Sequence, residues 1–133
     1  MRSPLALVLG ALVGGLIAAG CRMPTEAMPL PPDAVAITPP PEYERWWRDT
    51  QDCSAIRGEL HTVHWYVVPN VTTVRSDDGD AAGFWSPRGD VIVLAGWYQD
   101  SPWVVRHEML HALLQVHGHP PEFFRARCGD LVG

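Results

Sequence analysis

The chain has 133 residues, a net charge of −5 and ten basic residues, all of them arginine. Dispersed arginines within an acidic total leave no basic surface for nucleic acid. The length allows one small domain, whose modest core calls for a staple such as a disulfide or a metal.

Arg2 precedes an apolar run from Pro4 to Gly20, which closes in Ala18-Ala19-Gly20-Cys21. A run this short, ending in small residues, predicts a secretory signal over 1–20 and not a spanning helix. The pattern resembles the lipobox of bacterial lipoproteins. That resemblance implies cleavage before Cys21, acylation of Cys21 and a lasting membrane anchor. Arg22 stands where an Asp would imply inner-membrane retention, so the expected location is the cell envelope, on the periplasmic face of the outer membrane. A plain secretory signal or an uncleaved anchor is the alternative. Residues 22–41 carry seven prolines and little to bury. They predict an extended tether between Cys21 and a folded domain over 42–133, spanning up to roughly 60 Å.

Tyr43, Trp46, Trp47, Cys53 and Ile56 recur at helical intervals, so a helix is predicted from Glu42 to Ile56, ended by Gly58. Residues 60–68, rich in β-branched and aromatic types, predict a strand closed by Pro69-Asn70. Residues 75–83 read as a polar loop; Asp77, Asp78 and Asp80 lack the spacing of a calcium loop. Phe84-Trp85 and Val91–Ala95 flank Pro87-Arg88-Gly89-Asp90, the pattern of a hairpin with a tight turn. Cys53 and Cys128 remain once Cys21 is assigned to lipid. In an oxidising compartment they predict a disulfide, with two free buried thiols as the alternative. No C-x-x-C pair is present, which argues against cysteine as a zinc ligand.

A last long helix is predicted to start at Asp100-Ser101-Pro102, with Ser101 as its hydroxyl cap and Pro102 at the first helical position. Gly118, followed by Pro120 and Pro121, is expected to end it. Within it His107-Glu108-Met109-Leu110-His111 forms an H-E-x-x-H motif. With six His and six Glu scattered at random, the motif would arise in about one such chain per hundred, so chance is a poor account of it. Imidazoles four apart lie one turn above each other, at a separation that one zinc ion bridges. The glutamate between them sits where it can take a proton from water that the metal activates. On a helical wheel His107, Glu108, His111 and Gln115 share an arc of roughly 100°, while apolar residues cover most of the rest. Such a helix is buried, with one polar stripe facing a cleft. The whole predicts a small α+β domain, a short antiparallel sheet packed with an N-terminal helix and the motif helix.

The motif and the strand before it resemble the zinc helix of zincin metalloproteases. The stretch from Arg106 to Cys128 is also similar to small bacterial lipoproteins with zincin-like domains. The resemblance implies a zinc cofactor, a peptide or protein substrate, and metal-assisted hydrolysis with Glu108 as the catalytic proton carrier. His107 and His111 would be two metal ligands. The third is open among three residues. His117 has the spacing of the third metzincin histidine, but Leu114 replaces the glycine that turns that helix back, and no Met-turn follows. His119 comes after Gly118, which can reverse the chain, and is preferred; Glu122 is third. Tyr98, His64 and Arg106 are candidates for an electrophilic helper by residue type alone, and Val91–Ala95 is the expected edge for pairing with a substrate strand. A different class of function stays in play: a zinc-stabilised, non-catalytic binding lipoprotein of the envelope. Only about 16 residues follow the motif helix, which leaves little sequence for substrate subsites. Oligomeric state leaves no trace in the sequence.

Overall fold

In the computed structural model, residues 28–133 are described. The predicted signal, its Cys21 and the first part of the tether lie outside them. No helix among the described residues is long and apolar enough to cross a membrane.

A four-stranded sheet runs β1 (Val35–Ala36), β2 (His64–Val68), β6 (Val91–Ala95) and β5 (Gly83–Ser86) in spatial order. A two-stranded hairpin, β3 (Val74–Ser76) with β4 (Gly79–Ala81), stands beside it. The helices are α1 (Pro41–Ser54), α2 (Pro102–Leu114) and the short α3 (Gly129–Val132), the last two separated by a π-helical segment, Glu122–Arg127. This is the α+β domain that the sequence predicts. The expected hairpin is present too, with Trp85 opposite Ile92 and the turn at Pro87–Asp90.

Alternation along the strands sorts side chains to two faces. Trp65, Val67, Trp85, Ile92 and Leu94 point to one, where they meet Tyr43, Trp46 and Trp47 of α1 and Val105 and Met109 of α2. This is the main core. Val68, Phe84, Val91, Val93 and Ala95 point to the other face, which is covered by Val74 and the N-terminal residues Met28 and Ala34. The sheet is thus buried on both sides, and β6, central between β2 and β5, is buried at every position. That agrees with its unbroken apolar run.

Four local expectations are corrected. The central pair β2–β6 is parallel, so the sheet is mixed; the crossover between them carries the β3–β4 hairpin where a polar loop is expected. Gly79 makes that hairpin feasible, at φ 117° in the tight turn. Residues 60–62 form a 3₁₀ turn before β2 begins at His64. Residues 28–40 do not stand off as a tether, since β1 adds to the sheet edge with Val35 opposite Val67 and Ile37 N–H donates to Trp65 O at 3.0 Å.

The predicted disulfide joins Cys53 at the end of α1 to Cys128. It fixes the C-terminal segment to α1, helped by Arg127, whose Nη1 donates to Ser54 O at 3.1 Å. Leu110, Phe124, Cys128 and Val132 form a third cluster around this link. The disulfide therefore anchors the part of the chain that closes the site described next.

Candidate metal centre

Helix α2 starts on Pro102, and the expected Ser101 hydroxyl cap is not made. It ends at Leu114, earlier than the Gly118 signal suggests. Gln115 takes the left-handed conformation (φ 55°, ψ 39°) and its Nε2 donates to Ala112 O at 2.6 Å. A non-glycine residue thus performs the reversal, and Gly118 does not adopt a positive φ.

This early reversal decides the third position. His107 Nε2 lies 3.2 Å from His111 Nε2 and 3.0 Å from His119 Nε2. His107, His111 and His119 are the one group of potential metal donors among the described residues, all three donor atoms falling within 4.8 Å of one another. His117 instead stacks on Trp85, ring centroids 5.5 Å apart, and Glu122 pairs with Arg127 at 3.1 Å. Asp77, Asp78 and Asp80 contribute to no such group.

Proton bookkeeping tests whether a cation fits. His107 Nδ1 faces Val132 O at 3.2 Å, and His111 Nδ1 faces Val116 O at 2.8 Å. A carbonyl only accepts, so both Nδ1 atoms carry the proton and donate it. In neutral rings each Nε2 then presents a lone pair, and these two lone pairs face each other at 3.2 Å. Neither ring takes a second proton readily. Burial lowers His111 from 6.5 to about 4, aided by His107, His119 and His117 and opposed by the Val116 carbonyl. Burial also lowers His107, against the Val132 carbonyl and with help from His119. A shared cation satisfies all three nitrogens. At zinc–nitrogen distances of about 2.05 Å and tetrahedral angles, ligand nitrogens are about 3.3 Å apart, close to the 3.0 and 3.2 Å that separate His107 Nε2 from the other two. The carbonyl partners fix tautomer and ring orientation, as the outer shell of a metal site does. Phe124 floors the triad, its ring centroid 5.0, 4.7 and 4.7 Å from those of His107, His111 and His119. The residues present fit a metal ion.

Glu108 lies on the same helix but turns toward β5. It is buried, and burial raises its carboxyl from 4.5 to about 8, against a hydrogen bond from the Trp85 backbone N–H. No ion pair to Glu108 occurs among the described residues; Arg106, its near neighbour in sequence, is held by Asp49 at 2.8 Å. Gly83 allows this close packing. A β-carbon there would meet Leu94 Cδ2 at 2.9 Å, Val93 O at 3.1 Å and Glu108 Cγ at 3.3 Å.

The opposed shifts of His111 and Glu108 set the pH response of the chelated protein. His111 is depressed, so its contribution to stability is present above 6.5 and is lost as pH falls toward 4. Glu108 is raised, so its contribution is present below 4.5 and is lost as pH rises toward 8. Above pH 6.5 only the Glu108 slope remains. Denaturant titrations of the chelated protein are expected to show stability falling by about 2 kcal/mol from pH 6.5 to 8. A rise over that window would refute the burial of a neutral carboxyl.

A cleft of about 760 Å³ opens over the triad, and Glu108, His107 and His111 all line it. Its floor is the open edge of the sheet. The edge strand is β5 and not Val91–Ala95, since β6 is paired on both sides. Ala95 N–H donates to Ala82 O, so alternation turns Gly83 and Trp85 outward along this edge. The proposed helpers are elsewhere: Tyr98 packs against the far sheet face, Arg106 is paired with Asp49, and His64 is exposed at the start of β2. His117 is the further imidazole on the cleft wall.

Sequence reasoning missed Phe124, the two carbonyls, the Trp85 N–H and Gly83. None has a sequence signature, because each acts through backbone position or packing. Among protein families, curated proteins and solved structures, none matches this chain.

Proposed function

We propose that the protein is a zinc-dependent peptidase of the cell envelope, anchored through Cys21. The observation that carries this reading is the convergence of three imidazoles on one point, with a buried carboxyl on the same helix and an open strand edge beside it. Three nitrogen donors, with no fourth protein ligand among the described residues, suit a catalytic zinc, whereas structural zinc sites close their fourth position. Zinc bound there would supply an electrophile for a carbonyl oxygen and an acidified water.

The chain's own groups do the rest. His107 and His111 stay neutral at physiological pH and keep their Nε2 lone pairs for the ion. Glu108 moves the proton: its carboxylate takes one from the attacking water and returns it to the leaving nitrogen. A cation held by the triad would favour the ionised Glu108 carboxyl, the form that accepts a proton. The Trp85 N–H orients it. Gly83, whose outward N–H and C=O lie on the same edge, is placed to hold an extended substrate backbone, and His117 is placed to donate a hydrogen bond to a carbonyl oxygen. The cleft also answers the shortage of sequence after the motif helix, because its far wall comes from the β3–β4 hairpin and the N-terminal residues.

Glu108→Gln keeps the shape of the side chain and removes its proton-carrying ability. Peptide-library hydrolysis by the zinc-loaded variant is expected to fall roughly 10²–10⁴-fold with zinc content unchanged. Stoichiometric zinc with no hydrolysis by either protein would favour the non-catalytic binding lipoprotein.

A further inference from the structure

The seven-proline segment has so far only a structural place. Its second half crosses the far sheet face, with Met28 and Ala34 packed on the cluster of Val68, Val93 and Ala95. A turn closed by Ala34 N–H to Pro31 O at 3.0 Å then leads into β1. Met28–Pro32 thereby borders the same cleft as His107, Glu108 and His111. Leu30 is 37% exposed and Trp103, on the same cleft, is 56% exposed. Both are large apolar groups left partly in water, where contact with another apolar side chain is favourable.

We propose that this strap is the apolar subsite wall of the cleft, selecting extended polypeptides with apolar side chains, and that its prolines protect it from the site it borders. The proposal rests on the peptidase reading above. A strand pairing with β5 must offer backbone N–H groups at alternate residues. Pro29, Pro31 and Pro32 have none, so whichever alternate set of strap residues faced β5, at least one ladder donor would be missing. Every peptide bond within 28–32 has a proline on at least one side. The segment lines the site without presenting a cleavable strand to it.

Two measurements on the full chain test this. In the first, calorimetry compares two ligands of the zinc-loaded protein: acetohydroxamate, which reaches the metal alone, and a dileucyl hydroxamate, which also reaches the wall. Leu30→Asp is expected to weaken the dileucyl ligand roughly tenfold, the worth of one apolar contact, while Leu30→Met preserves it and acetohydroxamate binds all three proteins equally. Equal dileucyl affinity in wild type and Leu30→Asp would overturn the wall. Failure to load zinc, or to bind acetohydroxamate in the wild type, would overturn the peptidase reading and the proposal with it. In the second, intact mass is followed for a Pro29→Ala, Pro31→Ala, Pro32→Ala chain. Self-cleavage within the strap is expected, and is blocked by chelation or by adding Glu108→Gln. An intact triple variant that hydrolyses added peptide would overturn the protective role, and one that hydrolyses nothing would overturn the peptidase reading.

Discussion

His111→Ala is expected to weaken zinc binding by roughly two to three orders of magnitude. Structural zinc sites with four protein ligands bind with about 10–16 kcal/mol, so one protein ligand is worth about 2.5–4 kcal/mol, or roughly a hundred- to a thousandfold in affinity. The loss is compounded at this position, because the His111 ring also holds the Val116 carbonyl that positions the chain leading to His119. Competition titration against a chromogenic chelator measures it directly. Retention of full affinity by the variant would mean that the ion sits elsewhere.

The second large effect lies far from the metal in sequence. Cys53 and Cys128 are 75 residues apart, and in the chain-entropy picture their bond contributes about 4–5 kcal/mol. For a domain of about 100 residues this corresponds to a fall in Tm of roughly 15–30 °C when both cysteines become serine. Metal affinity is expected to fall as well, since the tied segment supplies Phe124 beneath the triad and Val132 O behind His107. Thermal melts with and without excess zinc separate the two effects. A double variant with unchanged Tm and zinc affinity would show that packing around Leu110, Phe124 and Val132 holds the segment without the bond.

Local information in the sequence was enough for much of the site. The i, i+4 spacing of His107 and His111 needs only a helix to become geometry. The disulfide followed from counting cysteines, and the β5–β6 hairpin from two apolar runs around a turn. Gly118 predicts the hinge that turns His119 toward the site, yet the hinge is Gln115. His119 does join His107 and His111, but the hinge that brings it there is hidden, because a left-handed glutamine stabilised by its own amide leaves no compositional mark.

Long-range features were hidden for a related reason. The parallel pairing of β2 and β6 depends on residues 27 positions apart, His64 with Val91, and nothing in either strand names its partner. The N-terminal strap was read as a tether because prolines give no periodicity to follow. It docks all the same, since Met28 and Ala34 complete the cover that Val71, Val74 and Tyr98 give to an apolar sheet face. With both long helices, α1 and α2, packed on one face of the sheet, part of the cover on the other face comes from the N-terminal residues Met28 and Ala34.

One measurement bears most directly on the account: zinc-edge X-ray absorption on the metal-loaded full chain, with His117→Ala and His119→Ala in parallel. The account predicts one zinc per chain with three imidazole nitrogens at about 2.0–2.1 Å, a shell kept by His117→Ala and broken by His119→Ala. A shell unaffected by His119→Ala, or a chain that takes up no zinc, would contradict it.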